Sequence, residues 1–403
     1  MNEKHGTNRR RFLTGVAAAA ASVTLVRPSA VHAAGANGKV SVGIIGCGGR
    51  GGFLAGLFAA NGHYAIAATH DYFADRSKSL GDKYKVPAGQ RYAGLSGYKK
   101  LLASKVDAVV VASPPFFHPM QVSAGVDAGK HVYVAKPIAV DVPGCLTVKE
   151  AGRKATQHKK VVLVDFQTRV DPFYSEALKR VHEGAIGEFA FGECTYHCGR
   201  LRKKGDDTGP EGRLRNWVFD KALSGDIITE QNIHSLDVMS WIMNAPPVRA
   251  FGTCGRKVRL DVGDCNDCFA VTYEYPKGVG IAYSGRQFDA HGTQPDGIRN
   301  RMFGSTGVLE AQYGGQVMIR GKNFYRGGKS PAIYKDGAKA NIAAFHKQIT
   351  DGLFENSTVA PSVQSNLVTV LGRTAAYTGE LVTWEKLLKT TDRVDGKLAG
   401  LKD

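Results

Sequence analysis

The sequence predicts an α/β chain in two unlike parts. A doubly wound parallel sheet spans residues 38–165, an α+β domain on a mostly antiparallel sheet spans 166–340, and helices over 341–403 pack across both. Three observations carry this. Apolar runs of strand length alternate with helix-length patterns through the first part, the spacing of βαβ units. The first of those runs feeds directly into a glycine-rich turn. Beyond Asp165 the alternation gives way to long strand-like segments with one informative helix among them. A chain of 403 residues, 43% hydrophobic and 22% charged, has the length for these domains and an ordinary globular composition. Collagen-like, coiled-coil and wholly disordered architectures are excluded.

Residues 1–33 stand apart. Asn8-Arg9-Arg10-Arg11-Phe12-Leu13-Thr14 sets paired arginines before Phe-Leu, and the alanine-rich run Gly15–Leu25 follows. The pattern predicts a twin-arginine signal peptide, with small residues in Val31-His32-Ala33 preceding a cut after Ala33. The run falls short of the ~18 apolar residues that a membrane span needs. The expectation is export through the twin-arginine machinery, in folded form, to the periplasm or beyond, with no stable membrane insertion. Residues 1–33 carry five Lys/Arg against one Glu, so their removal lowers the formal charge from +17 to +13. No long basic run or nucleic-acid motif accompanies the remainder, and no nucleic-acid partner is expected.

Val40–Ile45 reads as the first strand, Gly46-Cys47-Gly48-Gly49-Arg50-Gly51 follows at once, and Phe53–Ala60 is helical. Gly46, Gly48 and Gly51 form G-x-G-x-x-G between strand and helix. Such glycines allow a tight turn, close backbone approach to a pyrophosphate and close helix packing, while the helix N-terminus offers N–H groups to the anion. A second strand, Tyr64–Thr69, ends at His70-Asp71. A carboxylate there suits the 2′-hydroxyl of NAD and repels a 2′-phosphate, so NAD is favoured over NADP; Arg76 is the nearby residue that would suit a phosphate. Strands Asp107–Ala112 and His131–Ala135 come next, with helix Met120–Ala128 between them and Val142–His158 after. Ligands of doubly wound sheets bind outside the carboxyl ends of the strands. Ser113, Pro114 and His118 close one strand there, and Ala135 and Lys136 close the next.

After Val161–Asp165 the reading gives Phe166-Gln167-Thr168-Arg169, helix Pro172–Glu183, strands Phe189–His197, Arg249–Cys254, Phe269–Tyr275 and Val279–Tyr283, and helices Asn341–Asp351 and Ser362–Thr378. Asp226–Asn244 reads as one helix. A rotation of ~100° per residue puts Glu230, His234, Asp237 and Trp241 in one stripe, where Glu230 and His234 can converge on one ligand hydroxyl. Gln167, Arg169, Tyr196, His197, Arg200, Arg215, Asn216, Trp217 and Asp237 surround that helix in sequence. They join planar donors to aromatic faces, the lining that suits a sugar, and Gly199–Gly212 is a candidate lid rich in Lys and Arg. Seven cysteines are scattered, and Cys265-x-x-Cys268 has no second Cys/His pair at matching spacing, so no metal is expected.

In order along the chain, G-x-G-x-x-G, Asp71, Ala-Ser-Pro-Pro-x-x-His118 and Ala-Gly-Lys-His-Val-x-x-Ala-Lys-Pro resemble the glucose–fructose oxidoreductase/inositol dehydrogenase/MocA (Gfo/Idh/MocA) family. The resemblance implies a Rossmann domain followed by a large open sheet through which copies associate. It aligns Lys136 with the lysine of a Glu-Lys-Pro motif, with Ala135 where the glutamate is usual. The family's Gly-Gly-x-x-x-Asp-x-Gly-x-His motif aligns with Gly225–His234, which makes His234 the acid/base and Glu230 the counterpart of the aspartate; Asp226, Glu230 and Asn232 depart from the pattern. The implied reaction is oxidation of a ring hydroxyl of a sugar, glycoside or cyclic polyol, or reduction of the ketone. In it His234, at its ordinary pKa of ~6.5, takes the hydroxyl proton, Lys136 stabilises the alkoxide and Glu230 orients the substrate. Free NAD is scarce outside the cytoplasm, so the cofactor is expected to travel tightly bound. Two other readings stay open. One is an NAD-dependent glycoside hydrolase acting by transient oxidation and elimination, whose relatives carry Tyr-x-x-His where this chain has Gln231. The other is an inactive nucleotide- or sugar-binding scaffold.

Overall fold

Short apolar runs between glycine-rich turns become six parallel strands, and the polar-alternating runs that follow become nine more. The computed structural model describes residues 38–293 and 297–403, and the expected signal peptide lies outside them. The first part contains β1 (Val40–Ile45), α1 (Gly49–Asn61), β2 (Tyr64–Asp71), α2 (Ala74–Lys83), β3 (Arg91–Ala93), α3 (Gly97–Leu102), β4 (Ala108–Val111), α4 (His118–Asp127), β5 (His131–Ala135), α5 (Val142–Gln157) and β6 (Val162–Asp165). Next come α6 (Pro172–His182), β7 (Phe189–Cys198), α7 (Gly209–Arg215), α8 (Lys221–Ser224), α9 (Asp226–Glu230), α10 (Ile233–Met243), β8 (Arg249–Gly255), β9 (Cys268–Tyr275) and β10 (Val279–Gln287). The chain continues with β11 (Gly297–Gly304), β12 (Gly307–Gln312), β13 (Gln316–Gly321), β14 (Tyr325–Lys329), α11 (Ile333–Asp351), α12 (Val359–Thr378), β15 (Val382–Thr383) and α13 (Trp384–Leu388). The two late helices thus begin at Ile333 and Val359, eight and three residues before Asn341 and Ser362, where buried Ile333 and Val359 anchor segments that carry no motif.

The first sheet runs β3-β2-β1-β4-β5-β6, every pair parallel. All positions of β4 and β5 are buried, as expected for strands covered by helices on both faces. The strand order reverses between β1 and β4, the switch point where such sheets bind ligands. The second sheet runs β14-β13-β12-β11-β7-β10-β9-β8-β15. It is antiparallel except where β7 pairs with β10. Burial alternates residue by residue along β9 and β10, the period of a sheet with one covered face. α10 and α12 lie on that face.

α12 joins the two halves by side chains. Asn366 Oδ1 accepts the N–H groups of Ile138 (3.0 Å) and Ala139 (3.3 Å), just beyond Lys136. Arg373 donates to the carbonyls of Val140 (2.7 Å) and Gly225 (2.9 Å). Ser365 donates to Asp237 (2.7 Å), and Thr369 to Thr229 (3.1 Å). One helix therefore fixes the loop after β5 against α9 and α10.

Burial holds several histidines neutral. It lowers the pKa of His118 and of His131 to about 4. His131 Nδ1 accepts the Val161 N–H at 3.0 Å, a bond that only the neutral ring makes. The unfolded rings titrate at their ordinary value near ~6.5. Between there and about pH 4 the unfolded chain binds protons that the folded chain refuses, so stability falls as acid is added. The loss approaches roughly 3 kcal/mol per histidine by ~pH 4. Urea midpoints at pH 7 and 5 measure this: the midpoint drops at pH 5, and His131→Gln reduces the drop.

Candidate active site

The glycine loop is built for close approach. Gly46 ends β1 with φ +89°, and a Cβ there would lie 2.6 Å from the Ala112 carbonyl carbon. A Cβ on Gly51 would lie 1.7 Å from the Gly46 carbonyl oxygen. Neither position accepts a side chain. α1 starts at Gly49 with no side-chain cap, which leaves its N-terminal dipole for an anion. At the end of β2, Asp71 Oδ2 accepts the Cys47 N–H at 2.8 Å and Oδ1 accepts the Phe73 N–H at 3.0 Å. Burial pushes the Asp71 pKa up, while these N–H groups and Arg76 pull it down. A narrow cavity runs past Gly46, Gly48, Asp71, Arg76, Ser113 and Pro114. An uncapped helix start, a loop that only glycine can form and a carboxylate at the end of β2 fit a dinucleotide. Cys47 and Gly49 shape the loop without lining the cavity: the Cys47 thiol sits 3.3 Å from the His70 carbonyl, and burial raises its pKa.

A second cavity, of about 540 Å³, shares Ala112, Ser113 and Trp217 with the first. Arg50, His118, Ala135, Lys136, Gln167, Tyr196, Arg215, Asn216, Glu230 and His234 line it. Lys136 follows β5 directly, and its Nζ donates to the Glu230 carbonyl at 2.6 Å, with the Glu230 carboxylate 3.4 Å away. His234 is buried between the rings of Tyr313 and Tyr196, at 5.4 and 6.5 Å between centroids. Its Nδ1 has no hydrogen-bond partner among the described residues. Burial lowers its pKa well below the ordinary value, and Lys136 and Arg50 lower it further, which corrects the expectation of an unperturbed imidazole. The ring is neutral and able to take a proton. His118 borders the same cavity, with Nδ1 2.7 Å from the Pro137 carbonyl and Nε2 2.7 Å from the Ser113 carbonyl, and the neutral ring donates to one of the two.

The single helix expected over Asp226–Asn244 is two. Asn232 interrupts it: its Oδ1 accepts the Tyr283 hydroxyl at 2.5 Å, and its N–H reaches back to the Ile227 carbonyl. A short polar side chain with a tertiary partner outcompetes helical continuation. Glu230 ends α9 and His234 opens α10, and both still reach the cavity.

The rest of the stripe turns away. Asp237 is buried against Arg169, with bonds of 2.8 and 3.0 Å, and Arg169 in turn stacks on Trp241. This pair neutralises a buried carboxylate, and neither residue lines the cavity, so the fold does not bring Arg169 and Asp237 together with Lys136 and His234. Arg200 pairs with Asp261 on the surface, and His197 Nε2 meets Ser284 Oγ at 2.9 Å; both also lie outside the cavity. Asn216 lines it, but its amide is spent holding the loop, accepting from Lys204 N–H (2.7 Å) and donating to the Lys204, Asp206 and Gly212 carbonyls. Gln167, Tyr196, Arg215 and Trp217 remain as candidate substrate contacts.

Three contributors escaped the sequence reading. Asp165, fully buried, ion-pairs with Arg50 and accepts from Asn341 at 2.9 Å. Its place at the carboxyl end of β6 was the available signal. Tyr334 stacks under the Arg50 guanidinium at 4.8 Å, and Tyr313 faces His234. Both come from segments without a motif. Cys265 and Cys268 are free thiols, and among the described residues no cluster of three or more His, Cys, Asp or Glu could hold a metal. No described helix is long and apolar enough to cross a membrane.

Residues 40–166 match the oxidoreductase family with an NAD-binding Rossmann fold (GFO_IDH_MocA), and residues 174–310 match the GFO/IDH/MocA C-terminal domain. An inositol 2-dehydrogenase/D-chiro-inositol 3-dehydrogenase of Shouchella clausii is 26% identical over 242 residues, 60% of this chain and 63% of that protein. The alignment thus spans less than two thirds of that relative's length. Among solved structures, levoglucosan dehydrogenase in complex with NADH and levoglucosan superposes with a TM-score of 0.68 at 16% identity, over 86% of this chain and 99% of that one. The aldose-aldose oxidoreductase of Caulobacter crescentus, complexed with glycerol, gives 0.66 at 20% identity over the same shares. With the glycine loop, the six-stranded parallel sheet and both domain matches in place, the chain belongs to the Gfo/Idh/MocA family of NAD-binding oxidoreductases.

Proposed function

We propose that the protein is an exported oxidoreductase that converts a ring hydroxyl of a sugar, glycoside or cyclic polyol to the ketone, or the reverse, with a tightly held NAD. The observation that carries this reading is that Lys136 and a neutral His234 line one cavity that continues into the glycine-loop cavity. NAD, held by Gly46–Gly51 and Asp71, supplies the hydride acceptor. His234 accepts the proton of the substrate hydroxyl, the role that its place in the cavity lining and its neutral ring support. Lys136 turns from the Glu230 carbonyl to the same oxygen and stabilises its developing charge. Glu230 receives other hydroxyls, and Trp217 and Tyr196 offer faces to the ring C–H groups. Export rests on the twin arginines of residues 1–33. Association of copies through the open sheet is supported by Phe191 and Phe251, about half exposed on strands β7 and β8. The hydrolase reading gains nothing from the site, because Gln231 stands at the tyrosine position and its Oε1 accepts from Gln287 at 2.5 Å.

The test is to denature the purified protein, identify any released nucleotide, and follow nicotinamide absorbance as pyranosides and inositols are added to the native enzyme. Released NAD and reduction by one of these polyols support the reading. A protein that contains no nucleotide and binds none on titration overturns it.

A further inference from the structure

Residues 389–403 form no helix or strand, yet they are tied to the rim of the nucleotide cavity along their length. The Val394 N–H donates to Asp141 Oδ2 at 2.8 Å. Gly396 packs against the ring of Phe116. Arg213, on α7, donates to the carbonyls of Gly396 (2.9 Å) and Lys397 (2.7 Å). Leu398 and Leu401 pack into a small apolar cluster with Phe73, Phe117 and Leu214. The Lys402 carbonyl accepts the Leu95 N–H at 3.0 Å, and its own N–H donates to the Tyr72 hydroxyl at 3.1 Å. Tyr72 donates in turn to Glu211 of α7 at 3.0 Å.

These anchors have one thing in common. Tyr72, Leu95, Phe116 and Asp141 follow the carboxyl ends of β2, β3, β4 and β5, the edge over which a dinucleotide lies, and Arg213 and Glu211 belong to the helix facing that edge. Phe73, Leu95 and Phe117 from the first domain and Leu214 and Trp217 from the second are also walls of the nucleotide cavity. The space between them is about 60 Å³, against roughly 300 Å³ or more for a usual ligand site. Leu214 of α7 and the following Trp217 narrow this space, and moving α7 away from it would break the Arg213 bonds and open the apolar cluster.

We propose that residues 389–403 are a strap that locks α7 over the nucleotide cavity and keeps NAD resident between turnovers. The proposal rests on the reading that this cavity takes NAD. The strap raises the barrier to opening, so it slows release and entry together and changes the dissociation rate more than the affinity. It also gives Leu214 and Trp217 a place in the cofactor site.

The test uses the exported chain loaded with NADH and chased with excess NAD, with release followed by energy transfer from tryptophan to NADH, since Trp217 lines the cavity. Two variants are compared with the parent: Leu401→Asp, and a chain ending at Asp392. The expected result is release faster by about tenfold or more in both, the scale on which one partly buried apolar anchor acts, with a smaller change in affinity. Release from folded Leu401→Asp at the parent rate overturns the strap, and this variant decides the matter if the shortened chain does not fold. A parent protein that shows no energy transfer on NADH titration overturns the cofactor reading itself, and is recognisably different from a rate that the strap variants leave unchanged.

Discussion

Replacing His234 by asparagine lowers kcat by roughly 10³-fold, within the span that a positioned acid/base supplies, while NADH affinity stays within about twofold of the parent. The split follows from position. His234 opens α10 in the cavity it shares with Lys136 and does not touch the cavity beside the glycine loop. Asparagine keeps a polar group but has no comparable basicity. The same geometry sets the pH profile of the parent enzyme. An imidazole near its ordinary pKa would lose oxidation activity as pH falls through about 6.5. Here burial, Lys136 and Arg50 hold the pKa well below that value, so the ring stays unprotonated and activity persists to lower pH before it declines. Measurement of kcat against pH and of NADH binding by fluorescence checks both parts. An asparagine variant with unchanged kcat would remove His234 from the chemistry.

Replacing Gly51 by valine raises the Kd for NADH by on the order of 100-fold. The cause is steric and local: the first carbon of any side chain at this position would lie 1.7 Å from the Gly46 carbonyl oxygen, so the turn must open and α1 must move off the sheet. The effect on binding should exceed that on folding, since the clash is with the backbone of the turn between β1 and α1. Titration with NADH beside a urea midpoint separates the two. An unchanged Kd in a folded variant would show that the loop does not carry the dinucleotide.

Much of this architecture is legible in the sequence, and the reason is covering. β1 and β5 match their predicted limits because a strand buried on both faces must be an unbroken apolar run, and its ends are marked by glycine or charge. The strands β11–β14 are less legible. Their outer positions carry Arg299, Arg301, Glu310 and Arg320, and their pairing is set by neighbours in the sheet more than by local pattern. The break at Asn232 is invisible to helical periodicity, because its cause is a tyrosine on β10. The same holds for Arg169 and Asp237, polar residues whose spacing is compatible with a ligand site but which satisfy each other. Residues 389–403 have no period at all, since irregular backbone takes its order from what it lies against. The motifs thus single out Lys136, Glu230 and His234, which the fold brings to one cavity, while their neighbours emerge only from the fold.

α12 bears on how such proteins recombine. The two family matches end at residue 310, yet Asn366 and Arg373 hold the backbone at Ile138–Val140, just beyond Lys136, and at Gly225, just before α9. A chimera that takes its nucleotide-binding half from one relative and its sheet from another therefore has three pieces to reconcile. Exchange of residues 38–165 alone would leave the donor's loop after β5 facing a helix selected for a different one, and the spacing of Lys136 and His234 would be inherited from neither parent. Grafts that carry residues 359–378 along with that loop should keep the pair in register, which makes this helix the natural seam for engineering new substrate ranges.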